Sequence, residues 1–169
     1  MKVLVAYLSE SGNTEKLAKA VFEGIESSPK EILLIKDVAA VEDYDVIFIG
    51  FPVQSHSVPG KVEAFSKTLP EGQKIAYFAT HGSMRGGELA VTAFYHALTI
   101  SKNAVILGTF GCRGQVKQSI IDALMPKVEH RAWALEAQGA TGHPDEADLE
   151  DGREWAKKMI VKALSLIHI

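Results

Sequence analysis

The chain has 169 residues, 47% hydrophobic and 23% charged, with a formal net charge of −3, the make-up of one globular domain with a sizeable core. It holds no long basic cluster, which argues against nucleic acid or an anionic membrane surface as a partner. No apolar stretch is long enough to span a bilayer, and the short apolar run behind Met1-Lys2 is unlike a secretory leader. The single cysteine, Cys112, cannot close an intrachain disulfide and fits a reducing compartment, so a cytoplasmic setting is expected.

Residues 3–8 (VLVAYL) are a continuous apolar run, the mark of a strand covered on both faces. The run passes directly into Ser9-Glu10-Ser11-Gly12-Asn13-Thr14, after which Leu17, Ala18, Val21, Phe22 and Ile25 recur at helical spacing. Residues 31–35 read as a second strand and 46–49 as a third, which exits into the proline-bearing loop 50–60. Residues 61–69 read as a short helix with Val62 and Phe65 inward, and 74–79 as a fourth strand followed by the glycine-rich loop 80–87. A helix over 88–101 places Leu89, Ala93, Ala97 and Ile100 inward; the fifth strand, 104–110, exits into Gly111-Cys112-Arg113-Gly114-Gln115. Helical pieces over 116–124 and 127–138 follow, parted by Pro126, and a last helix runs from about 145 to 166.

Strands alternating with helices predict a parallel sheet with helices on both faces and right-handed crossovers, a three-layer α/β/α sandwich in one domain over 1–169. In such sheets ligands bind outside the carboxyl ends of the strands. The glycine- and hydroxyl-rich loops all follow strands, whereas the loops that precede strands are plain. Short side chains at 9–14 leave main-chain N–H groups free to converge at a helix start, where the partial positive charge favours an anion. There is no G-x-x-x-x-G-K-[ST] and no G-x-G-x-x-G after the first strand, which disfavours a P-loop NTPase and a dinucleotide site. The loop carries no Lys or Arg, which suits an unreactive monophosphate better than a phosphoryl group in transfer. A phosphoryl-accepting regulator needs acids at the ends of the first and third strands, where Ser9 and Gly50 stand.

The first strand, S-E-S-G-N-T and the amphipathic helix resemble the flavodoxin family, whose phosphate loop reads [ST]-x-[ST]-G-N-T, matched at Ser9, Ser11, Gly12, Asn13 and Thr14. G-F-P-V at 50–53, Thr80-His81-Gly82 with Gly86-Gly87, and Gly108-Thr109-Phe110 with Cys112 and Gly114 fall where that family has its later flavin loops and fifth-strand turn. The resemblance covers nearly the whole chain. It implies a flavodoxin-like five-stranded parallel sheet in the order 2-1-3-4-5 that holds one FMN non-covalently. Loop 9–14, with Glu10 and Gly12 in it, would bind the 5′-phosphate through N–H groups and the hydroxyls of Ser9, Ser11 and Thr14, with Asn13 bridging loop and ligand. Pro52, Val53, Gln54, Ser55 and His56 on one side, and Thr80, His81, Gly82 and Gly87 on the other, would flank the isoalloxazine ring. No catalytic side chain and no metal is implied, because the flavin carries the redox chemistry. The expected role is electron transfer to a redox partner protein or a small-molecule acceptor, by a monomer or weak dimer.

The chain departs from that pattern in its aromatic residues. Flavodoxins often stack Trp or Tyr on the ring, yet 52–58 and 80–87 contain no Trp, Tyr or Phe. An open ring face is the argument for the alternative, an FMN-dependent reductase of a small conjugated acceptor of quinone or tetrapyrrole type. Met84, Cys112 and Arg113 are then the candidates for substrate or partner contact. Trp133 and Trp155 read as packing residues, the acids of 145–151 as the start of the last helix, and the apolar 166–169 as a segment that packs or meets a second copy.

Overall fold

The computed structural model describes residues 1–26 and 28–166. In chain order the elements are β1 (Val3–Tyr7), α1 (Asn13–Gly24), β2 (Lys30–Leu34), a 3₁₀ turn (Ile35–Asp37), β3 (Val46–Pro52), α2 (Gly60–Ser66), β4 (Lys74–His81), α3 (Glu88–Ile100), β5 (Val105–Arg113), α4 (Gln118–Leu124), α5 (Val128–Gln138) and α6 (Glu146–Ser165). The strands form one parallel sheet in the order β2-β1-β3-β4-β5, the order that the flavodoxin resemblance implies.

Side-chain alternation divides the core. Val3, Val5 and Tyr7 of β1 join Leu17, Ala18 and Val21 of α1 and Ala156 and Ile160 of α6 on one face. Leu4 and Ala6 face the other way, toward Val62 of α2 and Ala93 and Ala97 of α3. Both faces of β1 are covered, so a continuous apolar run is what such a strand requires. Leu17 and Val21 are wholly buried, each burial contributing roughly 1.5–3 kcal/mol. Trp155 packs inside the α1/α6 layer, stacked on Phe110 at a centroid distance of 5.6 Å and edge-on to Phe48 at 5.6 Å. Helices α4 and α5 stand outside both layers around a small cluster of their own, with Ile121, Ala134 and Ala137 buried.

Three strands run further than their apolar cores predict. β3 continues through Pro52, β4 through His81 and β5 through Arg113, in register as Pro52↔Thr80, Thr80↔Cys112 and His81↔Arg113. Ladder pairing extends into the polar residues because each strand end supplies partners for the next. The carboxyl ends of β3, β4 and β5 thereby stand level beside loop 9–12. Asp145 caps α6 in a reciprocal capping box with Asp148, the role read for the acidic run. Leu166 packs against the α1/α6 core; the rest of the apolar terminal segment lies outside the described residues.

Candidate functional site

Loop 9–12 turns from β1 into α1 through Gly12, whose φ of 92° is a left-handed conformation that an L side chain rarely adopts. The Ser9 hydroxyl oxygen accepts from the N–H groups of Gly12 at 3.2 Å and Glu15 at 3.3 Å, which fixes the loop on itself. The N–H groups of Ser11, Asn13 and Thr14 take no acceptor among the described residues. Asn13 and Thr14 open the 12-residue α1, whose cap residue Gly12 offers no side chain, and Ser11 directly precedes that cap, so the three N–H groups make a ready site for an anion. The one acid of that first turn, Glu15, accepts from the Tyr7 hydroxyl at 3.3 Å.

The structure divides the polar side chains of this loop by task. Asn13 donates through Nδ2 to the Gln115 carbonyl at 3.0 Å, tying the loop to the segment after β5. Thr14 is 1% exposed, and its hydroxyl pairs with that of Thr80 at 2.8 Å, fastening α1 to β4. Ser11 is left as the exposed hydroxyl of the loop, beside the exposed Glu10.

A cavity of about 180 Å³ opens next to this loop, lined among others by Ser11, Asn13, Pro52, Val53, Thr80 and His81. A narrower slot of about 80 Å³ adjoins it, bounded by Val53, Ser55 and His56 on one side and His81, Gly82 and Ser83 on the other. Ser55 and His56 both have positive φ, 47° and 62°. They form a two-residue turn closed by paired hydrogen bonds of Gln54 and Ser57 at 3.1 and 2.8 Å. That geometry normally calls for glycine or asparagine, so the turn stores strain where two candidate loops meet.

His81 is 6% exposed, and burial holds its imidazole below the usual histidine range, so the ring is neutral near pH 7. Its Nδ1–H donates to the Ser83 carbonyl at 3.0 Å, which leaves Nε2 as a buried acceptor with no partner. The loop beyond it is tied down at both ends of its turn. Met84 N–H donates to Glu136 of α5 at 2.6 Å, and the Arg85 guanidinium pairs with Asp151 of α6 at 2.6 Å. Gly87 N–H closes the loop onto the Met84 carbonyl at 2.9 Å.

Two further candidates are engaged inside the protein. Cys112 is wholly buried, and burial pushes its thiol up to about 12, so it is protonated and inert at neutral pH. Arg113 donates to the Glu136 carbonyl at 2.6 Å near the end of α5, a cation at a helix C-terminus. Met84 is 61% exposed. His143, Asp145 and Asp148 also converge within 4.8 Å, but the capping box and a 2.6 Å hydrogen bond between His143 and Asp148 account for that group.

The segment after β5 supplies site residues that sequence reasoning missed. Gln115, Val116 and Lys117 line the cavity beside loop 9–12, and Lys117 puts there the positive charge that the loop itself lacks. Trp133 of α5 lines the slot with His56 and His81, and a methyl group placed on Gly82 would lie 3.4 Å from its ring. The aromatic side chain absent from loops 52–58 and 80–87 thus arrives from a helix 50 positions after Ser83. Local periodicity could not reveal it; the usable signal was a tryptophan on a helix whose apolar stripe is weak.

A sequence model of a family described as the flavodoxin domain matches residues 4–157. The flavodoxin-like domain-containing protein BilS of Clostridioides difficile (strain CD3) is 30% identical over an alignment of 181 residues, spanning 96% of this chain and 98% of that protein. Among solved structures the chain is similar to a flavodoxin from the domain Archaea, 17% identical with a TM-score of 0.61, covering 97% of this chain and 99% of that one. It is also similar to a flavoprotein from Lactobacillus acidophilus NCFM solved in complex with FMN, 18% identical with a TM-score of 0.52, covering 72% of this chain and 97% of that one. At these identities the two structures speak for the fold. Among the described residues no helix is long and apolar enough to cross a membrane.

Proposed function

Because this chain belongs to the flavodoxin domain family, we propose that it is an electron-transfer protein that carries one FMN at the carboxyl ends of its strands, in a single binding domain over 1–169. The observation that carries this reading is the set of free N–H groups of Ser11, Asn13 and Thr14 at the start of α1, beside a cavity that adjoins the slot between two strand-end loops. When bound, FMN supplies reversible uptake of electrons, and the chain supplies position and access.

The residues divide the work as follows. The N–H groups of Ser11, Asn13 and Thr14 and the Ser11 hydroxyl would hold the 5′-phosphate, with Lys117 beside it and Ser9 fixing the loop. Val53, Ser55, His56 and His81–Ser83 would flank the ring, and Trp133 would give it the apolar cover. The neutral His81 can accept a hydrogen bond at Nε2 but has no proton there to donate. The cavity and slot, at about 180 and 80 Å³, are smaller than the roughly 300–1,000 Å³ of a typical ligand site. Loop 53–56 would have to part from 82–83 to admit the ring, and the strained Ser55–His56 turn is the segment with most to gain by moving.

Trp133→Ala is expected to weaken FMN binding about tenfold, or about 1.4 kcal/mol. Leu135→Ala, an exposed position on the same helix, should leave it unchanged. Titration of FMN fluorescence against each variant checks both, and equal affinities would remove Trp133 from the site.

A second reading is a reductase of a small conjugated acceptor. It is favoured by the exposed His56 in the wall of the slot and by the exposed Met84, next in the chain to Ser83 of that wall. Trp133 favours the carrier, since a covered ring meets a partner through its edge. Anaerobic reduction followed by absorbance separates the two. A carrier takes up its electrons in resolved stages and needs a protein partner; a reductase shows one stage and is reoxidised rapidly by a panel of quinones and tetrapyrroles. A colourless protein that also takes up no added FMN would overturn both. One buried free cysteine fits the reducing cytoplasm in which such a carrier would act.

A further inference from the structure

The largest cavity described is not at the strand-end slot. A groove of about 610 Å³ lies on the opposite side of Ser9, where the carboxyl ends of β1 and β2 meet α2. Its walls include Leu8, Leu34, Ile35 and Phe65, all half-buried. Leu8, Ile35 and Phe65 are the outer margin of the α2/α3-side core. The groove exists because β2 is the edge strand and α2 is only seven residues long, so this corner of the sheet is covered thinly. Lys36 and Lys61 stand in its lining, both exposed. Neither forms an ion pair among the described residues, whose lysine pairs involve Lys2, Lys19, Lys67 and Lys157. The groove shares no lining residue with the cavity beside loop 9–12 or with the slot.

We infer that this groove is a second ligand site, for a small apolar molecule that carries an acid group. The apolar body lies on Leu8, Leu34, Ile35 and Phe65, and the anion is met by the ammonium groups of Lys36 and Lys61. The volume is that of a site for one small molecule, the walls give the apolar burial that drives such binding, and the unpaired cations select the charge. The inference does not depend on the flavin reading: the groove touches the loop at Ser9 but shares no lining residue with the cavity or the slot.

The test uses the full chain saturated with FMN, so that the slot is filled. The probes are 8-anilinonaphthalene-1-sulfonate, an apolar anion that fluoresces when buried, and N-phenyl-1-naphthylamine, a similar molecule without charge. The sulfonate is expected to bind at one per chain, at least tenfold more tightly than the neutral amine. Lys36→Gln with Lys61→Gln should remove that preference. Ala64→Trp, at an exposed position in the groove wall, should abolish binding of both probes. Lys102→Gln, in no contact with the groove, should change nothing. If Ala64→Trp binds the sulfonate as the wild type does, the site is elsewhere and the proposal fails; it fails equally if the two probes bind alike. Circular dichroism of each variant confirms that the fold is intact. Sedimentation covers the other occupant: a wild-type dimer made monomeric by Ala64→Trp would mean that a second copy fills the groove, and would overturn a small-molecule site. Should FMN not bind at all, Ala64→Trp still reports on the groove in the unloaded chain.

Discussion

Thr14→Val is expected to lower the stability of the protein by about 1–3 kcal/mol and to weaken FMN binding several-fold. Thr14 is 1% exposed and Thr80 4%, and their hydroxyls meet at 2.8 Å with no water-facing alternative. Valine keeps the shape of the side chain but leaves the Thr80 hydroxyl buried and unpaired, and a stranded polar group of that kind costs about 1–3 kcal/mol. The effect on FMN follows from place. Thr14 is the second residue of α1, and the Thr80 bond fastens the helix start to β4, so the N–H groups proposed to hold the phosphate would lose their fixed position when it breaks. Thr68 provides the comparison, since it is exposed and bonds only the Phe65 carbonyl one turn back; Thr68→Val should change neither quantity. Replacing both Thr14 and Thr80 by valine should recover most of the stability, because removing both partners of a buried pair is nearly neutral. Thermal unfolding and FMN titration on the single and double variants check these outcomes. Equal losses for Thr14→Val and Thr68→Val, or a double variant worse than the sum of the singles, would refute the assignment.

Gly24→Ala is expected to be the most destabilising methyl addition in the α1/α6 layer, by about 3 kcal/mol. A methyl placed on Gly24 would lie 2.3 Å from the Arg153 carbonyl oxygen and 2.8 Å from its Cα. Both are main-chain atoms in the middle of α6, so no side chain can swing away. The helix cannot retreat easily either: the Arg153 guanidinium pairs with Glu23 of α1 and with Glu146 and Glu150 of its own helix. Separating α1 from α6 also opens the packing of Leu17 and Ala156 beneath them. For a domain of this size the loss corresponds to a melting midpoint lower by roughly 6–12 °C. Gly60→Ala is the matched comparison, since nothing lies within 4 Å of its added methyl, and it should be neutral or slightly stabilising. A Gly24→Ala midpoint within about 2 °C of the wild type would show that the two helices have room to part.

Much of the fold was legible because its signals are local. β1 reads as buried on both faces from its residues alone, and the stripe of Leu17, Ala18 and Val21 marks the inner side of α1. Loop 9–14 is contiguous, so its composition and its place between strand and helix could be read together. The strand ends were harder. Thr80, His81, Cys112 and Arg113 read as loop residues but stand in the ladder, since pairing with a neighbouring strand outweighs their own preference.

The residues that complete the site were decided by tertiary structure. Trp133 and Glu136 reach the loops from α5, and Lys117 from the segment between β5 and α4, over sequence distances where no periodicity carries information. The same holds for the roles within the motif: S-E-S-G-N-T is readable as an anion loop, but that Thr14 faces Thr80, that Asn13 faces Gln115 and that Ser11 is left as the exposed hydroxyl depends on which strands lie beside it. The groove over β1 and β2 was likewise invisible, because it arises from the shortness of α2 against an edge strand. By itself the sequence determined the layers, the strand order expected of its family and the anion loop, since these rest on alternation, helical period and one turn of backbone. Which side chains meet over that loop, and what space they leave, required the packed chain, because contact between distant segments is set by how the layers stack.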